Sequence, residues 1–400
     1  MSTTLADPTP TTRHAWLAIG AVGLATFAVV TTEMLPVGLL TPISETFGAS
    51  AGTVALSLTL PSLLAALFAP VVVIAAGNVD RRRILLGLLG LLVSANLATA
   101  LAPGIGWLLA ARVLVGFCIG GVWAIAGGLA SRLAPRHAVG LATAIIFGGV
   151  AAASVLGVPL GALLGELAGW RWAFAGMAVL SALALALLAA VLPALPVASA
   201  ITPRHFIAQS GNRALQAGLL LTLLLVSGHF MAFTFVRPLL LSMSGFDVRW
   251  IGALLFGYGI AGMAGNFLAG LLAPTRPGMT LALIALGLLL VPLLFLGIGQ
   301  APGGGGIALL AWGLAYGGVS VGLMTWMIQS APDAVEVASA LFIAVFNVGI
   351  ALGSWAGGQV VDNFALQPLL WLSVTVFAMA LLLALALGAR RDGRVSDYCS

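Results

Sequence analysis

The sequence predicts an all-α integral membrane protein: twelve transmembrane helices arranged as two pseudo-symmetric six-helix bundles. Three observations lead there. Hydrophobic residues make up 61% of the 400 and charged residues 7%, against roughly 25% charged in soluble domains, so only lipid can solvate the apolar surface. The chain divides into twelve apolar runs, each near the ~20 residues that cross a hydrocarbon core as a helix. The second half also echoes the first at a constant offset of two hundred residues. Gly149, Ser154 and Gly157 of "ATAIIFGGVAAASVLGVPLG" answer Gly349, Ser354 and Gly357 of "SALFIAVFNVGIALGSWAGGQV", and internal repeats of this kind build rocking carriers with a site between the halves.

The runs, numbered as helices 1 to 12, are 15–40, 53–76, 84–102, 107–130, 138–164, 172–192, 214–241, 250–273, 279–298, 307–330, 337–360 and 368–388. A longer polar connector, 193–213, separates an N-terminal bundle at 1–192 from a C-terminal bundle at 214–400. The first fourteen residues are polar, and the run after them exceeds the roughly 7–15 residues of a signal h-region, so it reads as the first span. With the N-terminus in the cytoplasm, inner segments hold twelve of the arginines and outer loops only Arg171 and Arg249. The positive-inside rule then places both termini and the connector in the cytoplasm.

All sixteen basic residues are Arg; there is no Lys. That excludes a Walker phosphate loop and Schiff-base chemistry, and it points to an ion gradient as the energy source. The arginines lie between apolar runs, without the aromatic interleaving of a nucleic-acid surface. Cys118 sits in an apolar run and Cys399 in the polar tail, so no disulfide is expected. "GVSVG" around Ser320 matches a nucleophile elbow but lies inside a helical run, where the strand-turn-helix context is missing. No His-Glu-x-x-His pattern appears. Neither a cofactor nor a metal is expected.

Glu33 is the only charged residue between Ala15 and Leu40. It lies ~10 Å from the outer end of helix 1, and Arg112 ~8 Å into helix 4, by helical rise. A charge near the bilayer centre costs about 3 kcal/mol on insertion scales, so such groups face a cavity and pair. Two readings stay open: a static ion pair that fixes packing, and a proton site whose affinity changes as the cavity opens to either side. His229 in helix 7 is a second protonatable candidate or a neutral core imidazole. Arg237, near the outer end of helix 7, either attracts a ligand or, as slightly favoured, snorkels to the interface. Asn347 at mid-membrane is a candidate to hydrogen-bond a polar ligand in the substrate cavity, and Trp123, Trp326 and Tyr258 either line that cavity or pack between helices.

Small residues recur every fourth position in helix 5, at Gly149, Ala153, Gly157, Gly161 and Gly165, with Pro159 adding a bend. Such a stripe permits close helix approach and suits a seal between the halves. After helix 2, "GNVDRRRILLG" sets Asp80 beside Arg81, where the acid can pair with a cytoplasmic helix end as a conformational latch.

Together these segments resemble the major facilitator superfamily, in its twelve-helix drug:proton antiporter branch. "TTEMLPVGLLTPIS" is similar to helix 1 of bacterial sugar-efflux and purine-ribonucleoside-efflux proteins, and "RVLVGFCIGGVWA" to the family's helix-4 motif, which implies a proton-coupling role for Arg112. "GVPLGALLGELAGWRWAF" resembles the antiporter motif, implying gating by Gly157, Pro159 and Gly161. "APDAVEVASALFIAVFNVGIALG" and His229 resemble the sugar exporters, whereas Arg237 resembles the nucleoside exporters. The loop "GNVDRRR" departs from the family pattern: it is shorter and lacks the second glycine, while Asp80 and Arg81 keep their places. The resemblance implies a monomer in the bacterial inner membrane that exports a small solute (a sugar, nucleoside or drug-like compound) in exchange for protons. An uncoupled facilitator shares the fold but needs no intramembrane Glu33 and Arg112, and a membrane enzyme or receptor lacks its constellation here.

Overall fold

A computed structural model describes residues 12–75, 79–135, 138–195 and 209–396. The polar N-terminus through residue 11, residues 196–208 of the connector with Arg204, Arg136, and Cys399 lie outside the described residues. Twelve helices are long and apolar enough to cross a membrane, and no strand occurs among the described residues.

Helix 1 runs Thr12–Phe47, longer than its apolar core, and stops where Gly48 adopts φ +59°, a left-handed turn that favours glycine. Helices 2, 3 and 4 are Ala51–Ala75, Arg81–Ala100 and Ile105–Leu133. Helix 5 is not simply bent at Pro159. It runs Val139–Ala152, passes through a π turn at Ala153–Gly157, and resumes at Val158–Ala168, so one wide turn accommodates the missing proline N–H. Helix 6 is Trp170–Val191.

Helix 7 runs Arg213–Phe233, then breaks ahead of Pro238 into a short turn and a π segment, Leu239–Met243. Helices 8 and 9 are Ile251–Leu272 and Pro277–Gly297. Helix 10 starts earlier than its predicted 307, with Pro302 in its first turn, and breaks at Gly318 into Pro302–Gly317 and Val319–Ser330. Helices 11 and 12 are Val335–Asn363 and Leu366–Ser396.

The buried apolar side chains form two clusters, one built chiefly on helices 1–6 and the other on helices 7–12. The offset repeat has a structural counterpart. A methyl on Gly149, Gly157, Gly161 or Gly165 would collide with Gly23, Thr31, Leu35 or Leu39 of helix 1; one on Gly349, Gly353 or Gly357 would collide with Val226, Ser227 or Met231 of helix 7. The helix-5 stripe is therefore buried within its own bundle, and the expected seal between the halves does not lie on it. A different face of helix 5 meets the other bundle, where Gly252 of helix 8 approaches the Pro159 carbonyl and Leu163.

The three arginines after helix 2 belong to helix 3, because Asp80 caps its start: Oδ1 accepts from the Arg82 N–H at 2.9 Å. The same oxygen accepts from the Leu195 N–H at 2.8 Å, while Arg82 donates to the Ala189 carbonyl near the end of helix 6 at 2.6 Å. Asp80 thus caps helix 3 and holds the chain just past helix 6, contacts that stay within one bundle. Partial burial works against its charge, and the two backbone N–H groups with Arg83 and Arg82 outweigh that, so the carboxyl sits below its ordinary range. A depressed acid contributes stability above its unfolded pKa of about 3.9 and loses it as pH falls through the folded value. Asp80→Ala is therefore expected to cost about 1–2 kcal/mol, equally at pH 6 and pH 8. Unfolding of the solubilised protein at both values checks this.

Candidate functional site

Arg112 is fully buried, and its guanidinium does not reach for the Glu33 carboxylate. Its Nε donates to the Ser57 carbonyl at 2.9 Å, Nη1 to Thr32 at 2.8 Å and Nη2 to the Glu33 carbonyl at 2.9 Å. Two of these acceptors are fixed by sequence. In a helix, the carbonyl of residue i takes its hydrogen bond from the N–H of residue i+4, and proline has none. Pro36 thereby orphans Thr32, and Pro61 orphans Ser57. Arg112 supplies both missing donors, so a cation from helix 4 joins proline-broken points of helices 1 and 2.

The Glu33 carboxyl, 4% exposed, has one direct partner, the Ser62 hydroxyl, at 3.5 Å. Ion pairs among the described residues include Arg237–Glu166 and Arg249–Asp247, and none joins Glu33 to Arg112. The static Glu33–Arg112 pair is thus absent, since the guanidinium's bonds run to main-chain oxygens. The guanidinium still lies beside the acid, since it is bonded to the main-chain carbonyl of Glu33 itself. Around them, Asn96 donates to the Thr32 hydroxyl at 3.1 Å and to the Ser181 hydroxyl at 3.4 Å, a buried polar seam spanning helices 1, 3 and 6.

The rule that places Arg112 also places Arg237. Pro42 orphans the Gly38 carbonyl of helix 1, and Arg237 Nη1 donates to it at 3.0 Å; Arg237 Nη2 is ion-paired with Glu166 of helix 5. Arg237 is 3% exposed, so it does not snorkel: it is drawn inward by an unsatisfied carbonyl and an acid. It is also a bond between bundles, at the end of the molecule opposite the termini. A second such bond lies at the same end. Asp362 of helix 11 accepts from the Ser50 hydroxyl at 2.6 Å and from the Gly52 N–H at 2.9 Å, at the start of helix 2. With helix 8 against helix 5, the molecule is closed at that end.

His229 is buried within rings. Trp312 Nε1–H donates to its Nδ1 at 3.0 Å, which requires that nitrogen to be unprotonated, and Nε2 is buried without a partner. Tyr316 and Phe233 stack on His229, and Tyr258 stacks on Phe233. Tyr258 is thus a buried member of a ring stack. Asn347 donates to the Ile343 carbonyl of its own helix at 2.9 Å, leaving Oδ1 buried and unpartnered. Trp326, 2% exposed, donates to the Ala214 carbonyl and fills the space over Gly218. It braces helix 7 instead of lining a cavity. Trp123 is half-buried against the N-terminal cluster.

The structure therefore brings Glu33, Arg112 and Ser62 together and sets His229, Tyr258 and Phe233 in one stack with Tyr316. Sequence reasoning missed Ser62, Glu166, Asp362, Trp312 and Tyr316. A signal existed for the arginines' partners: the residue four before each intramembrane proline. None existed for the ring stack, which draws on three helices.

A family model described as the Major Facilitator Superfamily matches residues 22–342. A purine ribonucleoside efflux pump, NepI, of Salmonella paratyphi B is 31% identical over 378 residues, covering 94% of each chain, and that of Salmonella paratyphi A is 32% identical over the same length and coverage. Among solved structures, a bacterial homologue of the human lysosomal transporter Spinster, in an inward-facing and unoccupied conformation, matches with TM-score 0.67 at 18% identity, over 96% of this chain and 95% of that one. The human organic anion transporter MFSD10 matches with TM-score 0.69 at 19% identity, over 94% of this chain and all of that one. At these identities the solved structures speak for the fold alone.

Proposed function

The chain belongs to the Major Facilitator Superfamily, and on that premise we propose that it exports a small nucleoside-like solute across a bacterial inner membrane in exchange for protons, with both termini cytoplasmic. The observation that carries this reading is the Glu33 carboxyl: buried in the membrane, held by one long hydroxyl contact, and free of the arginine beside it. A carboxyl locked in an ion pair would stay charged throughout the cycle. One that Arg112 influences without engaging can gain and lose a proton while the surrounding helices keep their bonds. The likeness to purine ribonucleoside efflux pumps supports the solute class, and the arginine asymmetry supports the orientation.

In this cycle the closed end faces outward, and solute enters from the cytoplasm. Opening outward breaks the Arg237 and Asp362 bonds between the bundles, and a proton on Glu33 resets the carrier. Arg237→Ala leaves the Gly38 carbonyl without its side-chain donor and Glu166 without its cation, so it favours the outward-open state. A change of ~1.4 kcal/mol moves such a two-state ratio tenfold. Disulfide formation between Ser50→Cys and Asp362→Cys reports the closed state, and its rate is expected to fall severalfold with Arg237→Ala; an unchanged rate contradicts the gate.

The function itself is tested with purified protein in liposomes. Under an imposed pH gradient, tritiated adenosine is expected to accumulate above equilibrium, more strongly than a hexose. Equilibration of adenosine with no response to the gradient makes the protein a facilitator, and transport of the hexose alone overturns the solute class.

A further inference from the structure

We propose that the exposed side of Tyr316 is a stacking platform for a planar heteroaromatic ring of the nucleobase kind, the part of the solute held by the C-terminal bundle. The inference rests on the export reading for there being a solute site between the bundles; it adds which residue selects the solute, and for what chemistry. Four rings from helices 10, 7 and 8 stack in series. Tyr316 lies on His229 with centroids 3.4 Å and planes 9° apart, His229 on Phe233 at 4.7 Å and 23°, and Phe233 on Tyr258 at 4.7 Å and 28°. Tyr316 differs from the other three members. They are buried, whereas Tyr316 is half-buried although it sits midway along helix 10.

The direction of that exposure follows from what surrounds the ring. One face is on His229 of helix 7, and Phe230 stands edge-on at 6.2 Å and 89°. Ile307, Leu310 and Leu314 form the exposed apolar stripe of helix 10, and at ~100° per residue Tyr316 lies on the opposite side of the helix, so its exposed side faces the interior of the molecule and not lipid. Among the described residues its hydroxyl has no hydrogen-bond partner. The Trp312 N–H bond fixes the His229 plane, and the His229 plane fixes Tyr316. A ring held this way meets a ligand without losing freedom, the preorganisation that favours affinity. Stacking tolerates any flat π surface, so the platform selects for planarity and leaves the finer choice of base to polar groups. Under the export reading, a base on the platform lies in the solute site between the bundles.

Equilibrium binding to the purified full-length protein tests this with adenosine, adenine, the planar dye proflavine and ribose as probes. Tyr316→Phe is expected to keep adenosine and adenine affinity within about threefold, and Tyr316→Ala to weaken both about ten- to a hundredfold, with ribose showing no dependence on residue 316. If proflavine follows this pattern while adenosine does not bind, the platform stands and the nucleoside assignment of the export reading falls. If adenosine binds equally to wild type and Tyr316→Ala, the platform is wrong and the solute class survives. Binding of no planar probe above ribose also overturns the platform. Should Tyr316→Ala fail to fold, photolabelling of wild type with 8-azidoadenosine decides: attachment within helix 10 supports the platform, and labelling confined to other helices contradicts it.

Discussion

Arg112→Ala is expected to destabilise the protein by about 2–6 kcal/mol, because it leaves two buried carbonyls without donors at roughly 1–3 kcal/mol each. It is also expected to abolish transport. A bare loss of stability would not identify the cause, since any buried arginine is costly to delete. The diagnostic is its dependence on the prolines. Replacing Pro36 and Pro61 with alanine returns the N–H groups that Thr32 and Ser57 lack in the native helices. In that background Arg112→Ala should cost at least ~1 kcal/mol less, a coupling that a double-mutant cycle resolves. Arg112→Lys should recover little, because an ammonium cannot span three carbonyls on two helices as the planar guanidinium does. Additivity between the arginine and the prolines would refute this explanation of the site.

The second large effect concerns Glu33. Glu33→Gln keeps the shape of the side chain and its hydrogen bond from Ser62 but removes the titrating group. Since Arg112 bonds to main-chain oxygens, its anchorage should survive, and the variant should fold with nearly wild-type stability. Exchange of labelled adenosine down its gradient should persist, whereas uphill accumulation driven by a pH gradient should fall at least tenfold. This split between intact exchange and lost coupling separates a proton carrier from a packing residue. A static Glu33–Arg112 pair would give the opposite result: strong destabilisation, because removing one member of a buried pair costs about 3–5 kcal/mol.

The two largest effects also mark where the sequence was readable. Apolar length marks the twelve spans, and the two-hundred-residue echo is the same close packing of helix 5 on helix 1 and of helix 11 on helix 7. Glu33 and Arg112 stood out as isolated charges at matching depth. Their relation did not, because depth says nothing about which way a guanidinium turns. The better guide lay four residues before Pro36, Pro61 and Pro42, where a helix must expose a carbonyl; both buried arginines of the site answer such a position. Arg237 looked interfacial by helical count alone, since its partner Glu166 comes from a different helix. The glycine stripe gave correct evidence of close approach but not of which helix approaches. The ring stack was illegible for a similar reason: Trp312 and Tyr316 share a helix, and their relation to His229 exists only after three helices have packed.

Glu33 is the group proposed to exchange H⁺ for solute, and the most direct measurement of that role is proton release upon solute binding. Detergent-purified protein in weakly buffered solution, mixed with saturating adenosine, should release close to one proton per molecule of wild type and none from Glu33→Gln, while both bind adenosine. Equal release from the two proteins would contradict the assignment and move the proton to another residue.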